Sequence, residues 1–181
     1  MKNTVKGLAL AGAAGALLAG GAVPTSAAVN GTQDTVPKGY GNVRLEKLFG
    51  KYGMCLSMDD SKANKAVLKL RKCATKATTQ RWDLVWINDN KPSQARLFVT
   101  KNKKSKKCLY VQSPKTNTQV KQTSCNTKSK AQQWTFAGST IRNVSAKKLL
   151  TAGSHKSGTK ITITPYDGST KGRVKQEWGL S

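Results

Sequence analysis

Three short stretches decide how this chain folds: Gln80-Arg81-Trp82, Gln132-Gln133-Trp134 and Gln176-Glu177-Trp178. A single Gln-x-Trp means nothing, but each of these closes a segment of roughly 45 to 50 residues, a period typical of repeat architectures. The upstream sequence repeats as well: Cys55-Leu56 then Cys73, Cys108-Leu109 then Cys125, and Leu149-Leu150 then Tyr166, at separations of 18, 17 and 17. From the second marker to the glutamine the distance is 7, 7 and 10, so the third copy carries an insertion around Gly168–Gly172. Three units are therefore expected, at about residues 39–86, 87–136 and 137–181.

Four cysteines allow three pairings, and the repeat selects one of them. In the third unit Leu149 and Tyr166 replace both cysteines at once. Two contacting positions change together in this way when a disulfide is exchanged for apolar packing, which predicts Cys55–Cys73 and Cys108–Cys125. No Cys-x-x-Cys occurs, and the chain has one histidine, His155, so neither a metal centre nor a cofactor is expected.

Within the units the apolar signal is short and alternates with period two, as in Val67-Leu68-Lys69-Leu70, Ala95-Arg96-Leu97-Phe98-Val99, Cys108-Leu109-Tyr110-Val111 and Ile161-Thr162-Ile163-Thr164. Turn residues separate these runs, which predicts many short strands and no useful helix. A unit this small cannot bury its own apolar face. Three of them must share a core, which gives an all-β fold closed with threefold pseudosymmetry.

The N-terminus reads differently. Lys2 and Lys6 precede an uncharged Ala, Leu, Gly and Val stretch from Gly7 to Val23, followed by Pro24-Thr25-Ser26-Ala27-Ala28. This is the pattern of a secretory signal over residues 1–28, cleaved after Ala27 or Ala28, with residues 29–38 as a linker. The uncharged stretch is 17 residues with five glycines, short of the roughly 20 apolar residues of a membrane span. The expected product is an extracellular monomer with no transmembrane segment, and export favours disulfides over free thiols.

Together the Gln-x-Trp units and their cysteine pairs resemble the ricin-type β-trefoil lectins, over about residues 39–181. The resemblance implies that Gln80, Gln132, Gln176, Trp82, Trp134 and Trp178 are structural, with the indoles in the core; Trp86 lies outside the pattern. It also implies a sugar site built from an aspartate two residues after the first cysteine, an aromatic ring two before the second, and a polar residue, usually asparagine, before the glutamine. Here those places hold Ser57, Tyr110 and Thr151; Arg71, Thr123 and Thr164; and Thr79, Ala131 and Lys175. None of them matches. Asp59 and Asp60 are near enough to the first lost aspartate to act as acceptors from a shifted loop, or they are an ordinary turn pair.

Charge fills part of that gap. With 32 Lys and Arg against 8 Asp and Glu the formal charge is +24, and the three units carry +6, +10 and +6. The middle unit contains Lys101, Lys103, Lys104, Lys106 and Lys107 in seven residues, the candidate patch for an anionic ligand. Lysines act as point charges without arginine's planar fork, so diffuse, salt-sensitive attraction to an anionic polymer is expected and sequence-specific nucleic-acid reading is not. Few acids and a lone His155 in Gly153-Ser154-His155-Lys156 disfavour an enzyme. The expected function is a secreted, non-enzymatic, lectin-like module for a carbohydrate or anionic cell-surface polymer. The alternative is a subunit of a toxin, antimicrobial or inhibitor system that binds a protein partner.

Overall fold

A computed structural model describes residues 35–50, 53–59, 61–87 and 97–181. The expected signal segment, most of the expected linker and Asp60 lie outside the described residues. Among the described residues twelve strands follow one another: β1 Leu45–Lys47, β2 Met54–Ser57, β3 Lys69–Lys72, β4 Trp82–Trp86, β5 Leu97–Asn102 and β6 Cys108–Val111. Then come β7 Val120–Thr123, β8 Gln133–Ala137, β9 Thr140–Asn143, β10 Leu149–Ala152, β11 Ile161–Thr164 and β12 Trp178–Leu180.

The pairing closes a barrel. β1 pairs with β12, β4 with β5, β5 with β8 and β8 with β9, all antiparallel. Two bridges, Val43↔Trp82 and Thr140↔Glu177, join β1 to β4 and β9 to β12. Six strands thus form a ring without a free edge, which removes the template for further strand pairing. The other six form three hairpins, β2–β3, β6–β7 and β10–β11. One hairpin from each unit makes a cap, so the architecture is the β-trefoil that the repeat predicts.

Each unit's Gln-x-Trp makes the same contacts. Gln80 donates to Lys72 O and accepts from Ala74 N–H; Gln132 does so with Ser124 and Asn126, and Gln176 with Pro165 and Asp167. The glutamine therefore clamps the residues on either side of Cys73, Cys125 or Tyr166. The indole N–H of Trp82, Trp134 and Trp178 donates to Leu56 O, Leu109 O and Leu150 O respectively. All three indoles are buried, satisfying the polar edge that burial would otherwise leave unpaired. Trp86 is half-buried and packs against the same core.

Both expected disulfides are present, Cys55–Cys73 and Cys108–Cys125, each with Cα atoms 5.0 Å apart. The third unit corrects two expectations. Leu149 is buried, but Tyr166 is 71% exposed and does not supply the apolar partner expected of it. Gln176 fixes the backbone at this position whatever side chain it bears, leaving the ring free to turn outward. The insertion also forms a helix, α1 Thr170–Gln176, where none was expected. Ser169 caps it by accepting from Gly172 N–H at 3.1 Å, and it packs on β10. Gly172 must be glycine there, since a Cβ would collide with Asp167 O.

At the end of the linker, Thr35 pairs with Trp86 through two backbone hydrogen bonds, so those last residues are held to the barrel.

Candidate carbohydrate site

The three places where a sugar site is expected have diverged in different ways. In the first unit Arg71, at the stacking position, makes a two-pronged ion pair with Asp59 (2.7 and 2.8 Å), and Lys69 adds a third contact at 3.1 Å. The Arg71 hydrogen bonds hold the Asp59 carboxyl below the usual carboxylate range. Asp59 is thus engaged by cations on a turn at φ 50°, with its N–H on Ser57 Oγ. In the second unit Tyr110 and Thr123 are half-buried, and Ala131 O accepts from Val111 N–H and from the Asn143 side chain.

The third unit has a polar hollow of about 350 Å³, whose walls include Asn117, Thr151, Thr164, Tyr166, Asp167 and Lys175. Its floor is a chain of hydrogen bonds. Gln176 Nε2 donates to Thr164 Oγ1 (2.7 Å), and the Thr151 hydroxyl donates to Leu149 O (2.9 Å). The two hydroxyls are 2.8 Å apart. Either hydroxyl of that pair could be the donor, and both residues line the hollow.

The rim supplies what the floor lacks. Tyr166 presents an exposed ring, Lys175 an ammonium and Asp167 a carboxylate whose hydrogen bonds from Ser169 hold it below the usual range. An apolar face, a charged acceptor and a charged donor are the groups that hold the C–H face and hydroxyls of a sugar. Tyr166 and Asp167 escaped the sequence reading because they stand at, and just after, the position of the second cysteine. The length of the insertion was the available signal.

The lysine-rich segment forms the turn between β5 and β6. Asn102 shapes it, donating to Thr79 O and Arg81 O while accepting from Lys104 and Ser105 N–H. Lys103 is paired with Asp83 at 3.1 Å, Lys104 and Lys106 are exposed, and Lys101 and Lys107 are half-buried. His155 is not the surface residue expected. It is half-buried beside Gly50, with Nε2 enclosed and unpartnered.

A second hollow of about 530 Å³, lined by residues including Leu48, Phe98, Phe136 and Trp178, has no charged wall among the described residues to orient hydroxyls. Among the described residues, the one His/Cys/Asp/Glu group compact enough for a metal ion is Glu46 with Cys55 and Cys73. Its cysteines are joined to each other.

The family model of the ricin-type beta-trefoil lectin domain matches residues 42–178, and the chain belongs to that family of carbohydrate-binding modules. No curated protein sequence matches it. Among solved structures it is similar to ThreeFoil, a designed threefold-symmetric protein (TM-score 0.62, 20% identity, covering 76% of this chain and 96% of that one). It is similar to the cytolethal distending toxin of Actinobacillus actinomycetemcomitans (TM-score 0.59, 18% identity, 80% and 94%). The C-half of the earthworm R-type lectin, solved with GalNAc, is a further neighbour (TM-score 0.53, 16% identity, 77% and 98%). At these identities the likeness concerns the fold. Among the described residues no helix is long and apolar enough to cross a membrane.

Proposed function

We propose that this chain is an exported, non-catalytic carbohydrate-binding module that attaches to a glycan surface bearing negative charge. The third unit supplies the sugar contact, and the net charge of +24 (+22 without Lys2 and Lys6 of the signal segment) supplies long-range attraction, to which the lysine-rich turn contributes. The observation that carries this reading is the exposed Tyr166 ring beside Asp167 over a polar hollow. The signal-like N-terminus and two disulfides favour an oxidising compartment outside the cell.

The test is binding to immobilised neutral and acidic glycans by wild type, Tyr166→Ala and Asp167→Asn. Each substitution should weaken binding about tenfold, in keeping with the loss of a stacking ring or of a charged hydrogen bond. Glycan binding that neither substitution changes would contradict the assignment of the hollow.

A further inference from the structure

The three cap hairpins meet edge to edge around the pseudo-threefold axis. Leu68 N–H donates to Val120 O and Ile161 N–H to Leu68 O, both at 3.0 Å. Isolated bridges pair Val67 with Lys121, Lys69 with Lys160 and Gln119 with Thr162. Leu68, Leu70, Val120, Gln122, Ile161 and Ile163 are buried. Side chains alternate along a strand, so Lys69, Lys121 and Thr162, which lie between them, face away from the core, with Arg71 and Lys160 flanking. Four cations from three units are gathered on one face, although no two of them are neighbours in sequence.

This arrangement works against the fold. Lys69 stands directly across from Lys160, and like charges opposed across a sheet are destabilising. Relief comes from Asp59, whose carboxylate already serves both Lys69 and Arg71. Among the described residues, one carboxylate set against four cations leaves the face positive. Local rules broken with only partial internal compensation are expected at functional surfaces.

The face is continuous with the third-unit hollow. Thr162 and Thr164 line that hollow, Thr162 pairs with Gln119 across the axis, and Asn117 on the rim donates its N–H to Ile163 O at 2.8 Å. We propose that the cap face holds the anionic groups of an acidic polysaccharide whose sugar ring sits in that hollow. The inference rests on the carbohydrate reading above and adds where the charge is read. Lys121 and Lys160 are point charges suited to carboxylates or sulfates spaced along a flexible chain. Arg71, the one planar fork on the face among the described residues, is already committed to Asp59, which makes ordered phosphate recognition a poorer fit.

The experiment measures binding of the full chain to polygalacturonate, dextran sulfate, unmodified dextran and duplex DNA between roughly 50 and 200 mM salt. Wild type should bind at least one of the two acidic glycans more tightly than DNA and leave unmodified dextran unbound; the ratio between polygalacturonate and dextran sulfate identifies the anion. Lys121→Gln/Lys160→Gln should weaken that binding about fivefold and flatten the salt slope by about one to two. Lys104→Gln/Lys106→Gln, which removes the same charge from the β5–β6 turn, should cost much less. Thermal melting confirms that both variants fold; if the cap pair does not, Lys121→Gln and Lys160→Gln singly carry the comparison at about half the effect. Equal losses in the cap and turn variants would overturn the cap assignment and leave the carbohydrate reading intact. Wild type that binds neither acidic glycan would overturn both. Tighter binding to DNA than to either glycan, lost in the cap variant, would overturn the choice of polysaccharide.

Discussion

In the first two units the residue clamped by the Gln-x-Trp glutamine is a cysteine tied to the opposite strand; in the third it is Tyr166, clamped in the same way and turned to solvent. The backbone is conserved across the three and the cross-link is not. A disulfide spends its side chain on stability, whereas an unlinked residue held by the same glutamine is free to face a ligand. Gln176 also fixes Asp167 through its N–H at 2.9 Å, so one clamp positions both groups on the rim. The first unit differs in another way. At the end of β1 it has Lys47 where β5 and β9 end in Asn102 and Asn143, whose side chains donate to the carbonyls on either side of the glutamine. Lys47 reaches Glu177 O at 2.7 Å and lies over the Trp178 ring at 4.4 Å.

The sharpest way to break the comparison is to exchange the cross-links. Leu149→Cys/Tyr166→Cys should form a third disulfide, because Leu149 pairs with Thr164 as Cys108 pairs with Thr123. It should stabilise the fold by up to about 3 kcal/mol while abolishing glycan binding. Cys108→Ala/Cys125→Ala should cost about 3 kcal/mol in denaturant unfolding and leave binding in place. If the engineered pair stays reduced in an oxidising buffer, the units are not equivalent.

A smaller effect concerns Lys47. Burial lowers its pKa to about 7 from 10.5, although the Glu177 carboxylate opposes the shift. The unfolded chain therefore binds more protons between those values, so this group's contribution to stability rises with pH through that window and is flat below it. Relative to Lys47→Asn, wild type should gain about 2 kcal/mol between pH 7 and pH 9. Parallel stability profiles for the two proteins would show that the ammonium is better solvated than its burial implies.

The smallest expected effect is on the residue proposed to meet the sugar ring. Tyr166→Ala should change stability by less than about 0.5 kcal/mol, as befits an exposed side chain. A loss of several kcal/mol on unfolding would make the ring a packing element and remove it from the site.

The fold was legible because its determinants repeat: the spacing of Cys, Gln and Trp encodes strand register three times over. The helix α1 was not, since seven residues containing Gly172 carry no amphipathic stripe and rely on β10 and the Ser169 cap. The exposure of Tyr166 was misread because alignment assigns a position and not a side-chain direction. Lys47 was hidden among the many lysines of the chain, although its place at the end of β1 matches Asn102 and Asn143. The cap face could not be seen as a charge run, since Lys69, Lys121 and Lys160 meet only when the hairpins close.

The central claim, that the third unit makes the sugar contact, is tested most directly by titrating isotopically labelled protein with a short oligogalacturonate and following backbone amide shifts. The largest shifts should fall on Thr162, Thr164, Tyr166, Asp167 and Gly172, with smaller ones at Lys121 and Lys160. Shifts concentrated at Ser57 and Arg71, at Tyr110 and Thr123, or along Lys104–Lys107, with Tyr166 and Asp167 unmoved, would contradict it.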